Sequence, residues 1–193
     1  MLRAAEIKTV APRDAQSLLL SSPNNNNSSS QSYKMLDVRP IWEREKAHVV
    51  GSIHVPLFIE DVDTSALTLL KKWIQMGYGG MWMGQRLTVK NTDFVDQVED
   101  CLPSKEQRLM VVCGEGLRSM LAIDELLNAG YTNVAWVGGG FNSVRDGDFL
   151  NVGGSTKLQW ATIGGASEYL LKLTVLLTGL LNTVAGDASS KKH

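Results

Sequence analysis

The sequence predicts an α/β domain built on a doubly wound, mostly parallel five-stranded sheet flanked by helices. Three observations predict it. Five short runs of β character alternate with helical patterns. Two of these runs, Arg108–Val112 and Asn133–Val137, are of the buried type expected for a parallel sheet covered on both faces. Glycine-bearing turns follow both directly, at Cys113–Gly116 and Gly138–Gly140.

The elements follow in order. Ile7–Val10 is the first β-like run, and Pro12, well placed in a first turn, opens a helical pattern through Leu20. Residues 21–32 are a polar low-complexity loop, expected to be exposed. Tyr33–Val38 reads as a buried strand stopped by Pro40. Ile41–Lys46 is a short charged helix, and Val49–Ser52 turns the chain into a strand at Ile53–Pro56. Leu67–Ile74 and Asn91–Leu102 are helices, the second with Phe94, Val95, Val98 and Leu102 at helical spacing and Thr92 as its N-cap. Gly77–Gly84 between them is rich in Gly, Met and Trp. Leu117–Ala129 is an apolar-striped helix ended by Gly130. Residues 151–165 read as a linker, 166–185 as an amphipathic helix with Leu170, Leu173, Leu176, Leu177 and Leu180 on one stripe, and 186–193 as a disordered tail.

The 193 residues suffice for one domain with extensions, and 44% hydrophobic residues exclude global disorder. A net charge of −1 excludes the broad basic field of a non-specific nucleic-acid binder. The two cysteines, Cys101 and Cys113, form no CxxC pair and have no histidine cluster near them, so neither a zinc site nor a disulfide framework is expected. The N-terminus shows no apolar run of the secretory type. The uncharged stretch 173–186 is shorter than the roughly 20 residues a membrane span needs.

Chemistry concentrates in Cys113-Gly114-Glu115-Gly116-Leu117-Arg118-Ser119. A buried strand ends, a glycine-bearing loop follows, and a helix begins. Open α/β sheets place their sites outside the carboxyl ends of strands. A loop entering a helix turns unpaired backbone N–H groups inward, a cradle for an anion. A cysteine on the floor of that cradle is favoured as a thiolate, and a persulfide anion is stabilised in the same way. Arg118 either holds an anionic donor or braces the loop.

These residues resemble the rhodanese family, whose active loop is Cys, four residues, then Arg and a small residue; Cys113, Arg118 and Ser119 have that spacing. Leu36-Asp37-Val38-Arg39 resembles the family's Asp-x-Arg strand end, and Glu43 falls where a family glutamate sits. His48–Pro56 and Gly130–Phe141 resemble two further family stretches, so residues 1–150 are expected as one rhodanese-like domain with a family-specific insertion at 61–91. The insertion and the Leu-rich tail are most similar to plant single-domain members of the plastid type, and that resemblance implies a chloroplast address. The resemblance also implies a sulfurtransferase that carries sulfane sulfur on Cys113 from thiosulfate, mercaptopyruvate or a protein persulfide to a thiophilic acceptor. It implies no cofactor and no metal. Asp37 and Arg39 are assigned to supporting the loop. The four-residue spacing distinguishes the chain from related phosphatases, which have five.

Two other readings stay open: a rhodanese-like module used for partner binding or anchoring, and a redox-sensing thiol. Glu115 departs from loops specialised for thiosulfate, since a carboxylate there repels a dianion. Cys101 is read as structural, and His48 and His54 receive no catalytic role. For the tail helix, packing on the domain or a partner ranks above membrane contact, because its polar face lacks Lys and Arg.

Overall fold

The computed structural model describes residues 7–20 and 32–190. Most of the expected loop, at 21–31, lies outside the described residues, as do the last three residues of the tail. The chain divides into two units: Met1–Asp61 with Thr88–Thr162, and Val62–Leu87 with Ile163–His193.

The first unit opens with β1 (Lys8–Val10), α1 (Pro12–Leu20), β2 (Lys34–Asp37), α2 (Ile41–Lys46), β3 (Ala47–Val49), β4 (Ile53–His54) and β5 (Phe58–Glu60). The second unit contributes α3 (Ala66–Gln75), a π-helical turn and α4 (Met81–Met83). The chain then returns through β6 (Thr88–Lys90), α5 (Phe94–Cys101), β7 (Leu109–Val112), α6 (Leu117–Asn128), β8 (Val134–Val137) and β9 (Val152–Gly154), and ends in α7 (Gly165–Ser190).

The main sheet has five strands in the order β1-β8-β7-β2-β4, and every neighbouring pair in it is parallel. This is the expected α/β class. β7 lies at the centre, buried along its whole length. Period-2 alternation splits the core into two layers. Leu36, Leu109 and Val111 pack with Phe94, Val98, Ala122 and Ile123 of α5 and α6. Met35, Met110 and Val112 pack on the other face with Ala15 of α1, Phe141 and Leu158.

Four points differ from the sequence reading. The α5 helix starts at Phe94, and Thr92 does not cap it; Asn91 Oδ1 instead accepts from the Asp93 N–H in a turn ahead of the helix. The stretch read as a linker contains β9, which pairs antiparallel with β3, Val49 opposite Val152. The insertion is bounded by an antiparallel pair, β5 with β6, so both its ends are fixed in the first unit. The last helix continues to Ser190, beyond the expected end at 185. Short two- and three-residue strands carry too little periodicity to be seen in sequence.

Candidate active site

β7 ends at the centre of the sheet, so the next residue, Cys113, emerges on the floor of the crevice that parallel sheets use for ligands. Its side chain is fully buried. The loop then curls back on the sulfur. The backbone N–H of Gly116 donates to Cys113 Sγ at 3.0 Å, and that of Ser119 does so at 3.3 Å. The Ser119 hydroxyl lies 3.5 Å from the same sulfur. Two main-chain donors at a helix entrance converging on one sulfur form an anion cradle.

The curl depends on Gly116. Its φ of +100° is a backbone conformation that side chains with a Cβ rarely adopt. Trp136 closes this side: its indole N–H lies 3.2 Å from the Gly116 carbonyl and 3.1 Å from Ser119 Oγ. Ser119 donates in turn to the Gly116 carbonyl at 2.7 Å. The loop is thus pinned by side chains from α6 and β8.

Below the loop runs the turn after β8. The N–H groups of Phe141 and Asn142 donate to the carbonyls of Cys113 (2.9 Å) and Gly114 (2.8 Å). Gly140 permits this approach, since a Cβ there would lie 2.5 Å from both carbonyl oxygens. On the other side, Thr162 presses its methyl against Gly114, 2.3 Å from where a Cβ would stand, and donates to Asn142 Oδ1 at 3.0 Å.

Arg118 turns to Glu43 of α2. Its two terminal nitrogens meet the two carboxylate oxygens at 2.7 and 2.8 Å, a bidentate pair. Burial works against the charge on Arg118, but the hydrogen bonds and charge of Glu43 outweigh it, with a further contribution from the Cys113 sulfur. The guanidinium is held above its ordinary value. The pair ties the loop to α2.

Asp37 and Arg39 stand at the end of β2, beside β7. Both are fully buried. Arg39 donates to the Asp37 carboxylate through Nε (2.9 Å) and Nη2 (2.7 Å), and to the Ala47 carbonyl at 2.7 Å. Its guanidinium stacks 4.3 Å from the centre of the Phe141 ring. The line from Asp37 through Arg39 and Phe141 to the Cys113 carbonyl is continuous, and neither Asp37 nor Arg39 touches the sulfur through any described hydrogen bond.

The remaining residues singled out by sequence separate from this centre. Glu115 and Leu117 are on the exposed rim, Leu117 at 70% exposure. His54 Nε2 donates to the Arg39 carbonyl (2.8 Å), and burial lowers its tendency to protonate. His48 Nδ1 donates to the Arg44 carbonyl (3.2 Å). Cys101, read as structural, is exposed at the end of α5.

Sequence reasoning named Glu43 only by family position, and gave Gly140, Asn142 and Thr162 no role at the loop. Glu43 and Arg118 are 75 residues apart, and no local pattern links them.

Residues 24–146 match the Rhodanese-like domain family. The chain is 49% identical over 177 residues to rhodanese-like domain-containing protein 10 of Arabidopsis thaliana, covering 92% of this chain and 78% of that one. It is 39% identical over 170 residues to the Arabidopsis rhodanese-like domain-containing protein 11, chloroplastic, covering 88% of this chain and 54% of that relative. It is 30% identical over 111 residues to the Arabidopsis thiosulfate sulfurtransferase 16, chloroplastic, covering 58% of this chain and 72% of the relative.

Proposed function

The chain belongs to the rhodanese-like domain family, and from that premise we propose that it is a sulfurtransferase carrying sulfane sulfur as a persulfide on Cys113. The observation that carries the proposal is the pair of N–H groups, from Gly116 and Ser119, aimed at the sulfur at 3.0 and 3.3 Å. Donors so placed stabilise negative charge on a thiolate and on the persulfide that replaces it.

The cycle has two displacements. The Cys113 thiolate attacks the outer sulfur of a donor R–S–S⁻. The Cys113–S bond forms as the donor's S–S bond breaks, and RS⁻ leaves with its electron pair. An acceptor thiolate or other thiophile then takes the outer sulfur, and Cys113 leaves as the thiolate. No net oxidation occurs, and no other group is required. The relative named a thiosulfate sulfurtransferase supports this class of reaction.

The charges around the loop favour a persulfide donor of low charge over dianionic thiosulfate. Both terminal nitrogens of Arg118 are engaged by Glu43, and Glu115 adds a carboxylate at the rim. Glu115→Gln is expected to raise kcat/KM for thiosulfate by about threefold at low ionic strength, with the gain shrinking as salt is added. A neutral donor should show no such gain. Equal effects on both donors, or none at low salt, would exclude this electrostatic account.

The test of the proposal is intact mass spectrometry of the reduced protein after exposure to thiosulfate, mercaptopyruvate and a persulfide-bearing protein, each alone. The expected result is a gain of one sulfur, about 32 Da, that cyanide removes. A folded protein that gains no sulfur from any of the three would overturn it. Three relatives are named chloroplastic, which supports a plastid address as part of the same proposal.

A further inference from the structure

Trp136 stands on β8, opposite Val111 of β7, with its ring partly buried against the core layer that holds Val111 and Ile123. The indole reaches the cysteine loop from there. A Cβ on Gly116 would lie 3.0 Å from the ring carbon Cζ2. The indole N–H is shared between two acceptors, the Gly116 carbonyl at 3.2 Å and Ser119 Oγ at 3.1 Å.

The Gly116 carbonyl has more donors than it can use. It receives the Ser119 hydroxyl at 2.7 Å, the Met120 N–H at 3.2 Å and the Trp136 N–H at 3.2 Å. A carbonyl oxygen offers two lone pairs. The Met120 amide is fixed by α6 and the indole N–H by its ring, whereas a hydroxyl hydrogen rotates to suit its surroundings. The Ser119 hydroxyl is therefore the spare donor. Cys113 Sγ lies 3.5 Å from Ser119 Oγ, within hydrogen-bonding reach for sulfur. Both residues are fully buried, so bulk water does not compete for the hydroxyl.

Two arrangements of the same atoms follow. With Cys113 protonated, its S–H donates to Ser119 Oγ, and the hydroxyl donates to the Gly116 carbonyl. A thiolate has no proton to give and only accepts. The hydroxyl then turns to the sulfur and joins the Gly116 and Ser119 N–H groups as a third donor. The carbonyl keeps the Met120 and Trp136 N–H groups, one for each lone pair. The indole also donates to the hydroxyl oxygen, which strengthens the hydroxyl as a donor. Without the indole N–H, the same turn would leave the carbonyl with one donor, so the hydroxyl stays where it is.

We propose that Trp136 is a positioning residue for Cys113, a role that rests on Cys113 being the sulfur carrier. Its indole N–H releases the Ser119 hydroxyl from the Gly116 carbonyl, and the hydroxyl donates to the sulfur whenever Cys113 is a thiolate.

The test is a double-mutant cycle on the full chain. Its readout is the rate of Cys113 alkylation by iodoacetamide, followed by mass at the Cys113 peptide. Ser119→Ala and Trp136→Phe should each slow alkylation at neutral pH about five- to tenfold and move its pH profile toward higher pH. The combined variant should be no slower than either single one, because each change already removes the third donor. Independent effects would multiply to roughly 25- to 100-fold, and that result overturns the proposal. So does a single variant that reacts as fast as the parent. Replacing Trp136 by 3-benzothienylalanine, which keeps the double ring and lacks the N–H, separates hydrogen bonding from packing. It should behave as Trp136→Phe, and parent-like rates would overturn the role of the N–H. Alkylation needs no sulfur donor, so the two readings fail separately. A parent that alkylates and shows the coupled cycle but gains no sulfur overturns sulfur carriage alone. A parent that gains sulfur while the two effects multiply overturns the role of Trp136 alone.

Discussion

Cys113→Ser is expected to lose sulfur loading completely while the domain stays folded. The serine oxygen accepts from the same Gly116 and Ser119 N–H groups that now reach the sulfur at 3.0 and 3.3 Å, so the loop keeps its hydrogen bonds. The stability change should stay within about 1–2 kcal/mol, as for other near-isosteric core substitutions. The chemistry, by contrast, has no substitute. A serine hydroxyl needs an adjacent base to act as a nucleophile. The two described histidines lie elsewhere, on the Arg44 and Arg39 carbonyls. Intact mass spectra of the two proteins after donor treatment, with thermal melts beside them, check both halves. Sulfur gained by the variant would move the carrier to Cys101, which is exposed, and Cys101→Ser would show it.

Asp37→Ala should have the largest effect on stability, about 3–5 kcal/mol, because it strands a buried charge. Asp37 accepts from Arg39 Nε, Nη2 and backbone N–H, and from Arg44 at 3.4 Å. Arg39 is fully buried, and its Nη1 has no hydrogen-bond partner among the described residues, so it has no reserve of contacts. Removing the carboxylate leaves the Ala47 carbonyl and the Phe141 ring to hold a guanidinium out of water. The measurement is the urea midpoint, read with the slope to confirm a two-state transition. The double variant Asp37→Leu, Arg39→Met should be less destabilised than Asp37→Ala, because it removes both charges together. Equal losses would mean that the Arg39 contacts beyond Asp37, not the pair, hold this corner. Sulfur loading should fall in Asp37→Ala only as the folded fraction falls, since neither residue touches the sulfur.

The site illustrates which interactions a sequence displays. The loop from Cys113 to Ser119 is local: strand end, glycines and helix start are consecutive, and the cradle they make is a property of seven neighbouring residues. β7 ends at Val112 and α6 begins at Leu117, where the local pattern places them. The role of Arg118 was open in sequence because a bidentate ion pair needs a partner, and Glu43 is 75 residues away. Likewise, nothing near Thr162 indicates that its methyl group lies on Gly114, or near Gly140 that two carbonyls pass within 2.5 Å of its missing Cβ. These are steric facts of two chain segments meeting.

By itself, the sequence determined the α/β class, the strand–loop–helix that holds Cys113 and the two runs of the core helices, because each rests on periodicity or turn chemistry within a dozen residues. The tertiary structure alone decided the sheet order that puts β7 at the centre, the pairing of β3 with β9 inside a supposed linker, and the capture of Arg118 by Glu43. It also decided that α7 is grouped with the insertion helices and leaves Leu173, Leu176 and Leu177 of its apolar stripe exposed. Hydrophobic pattern says that a side chain is apolar; only the packing of distant segments says whether another part of the chain covers it.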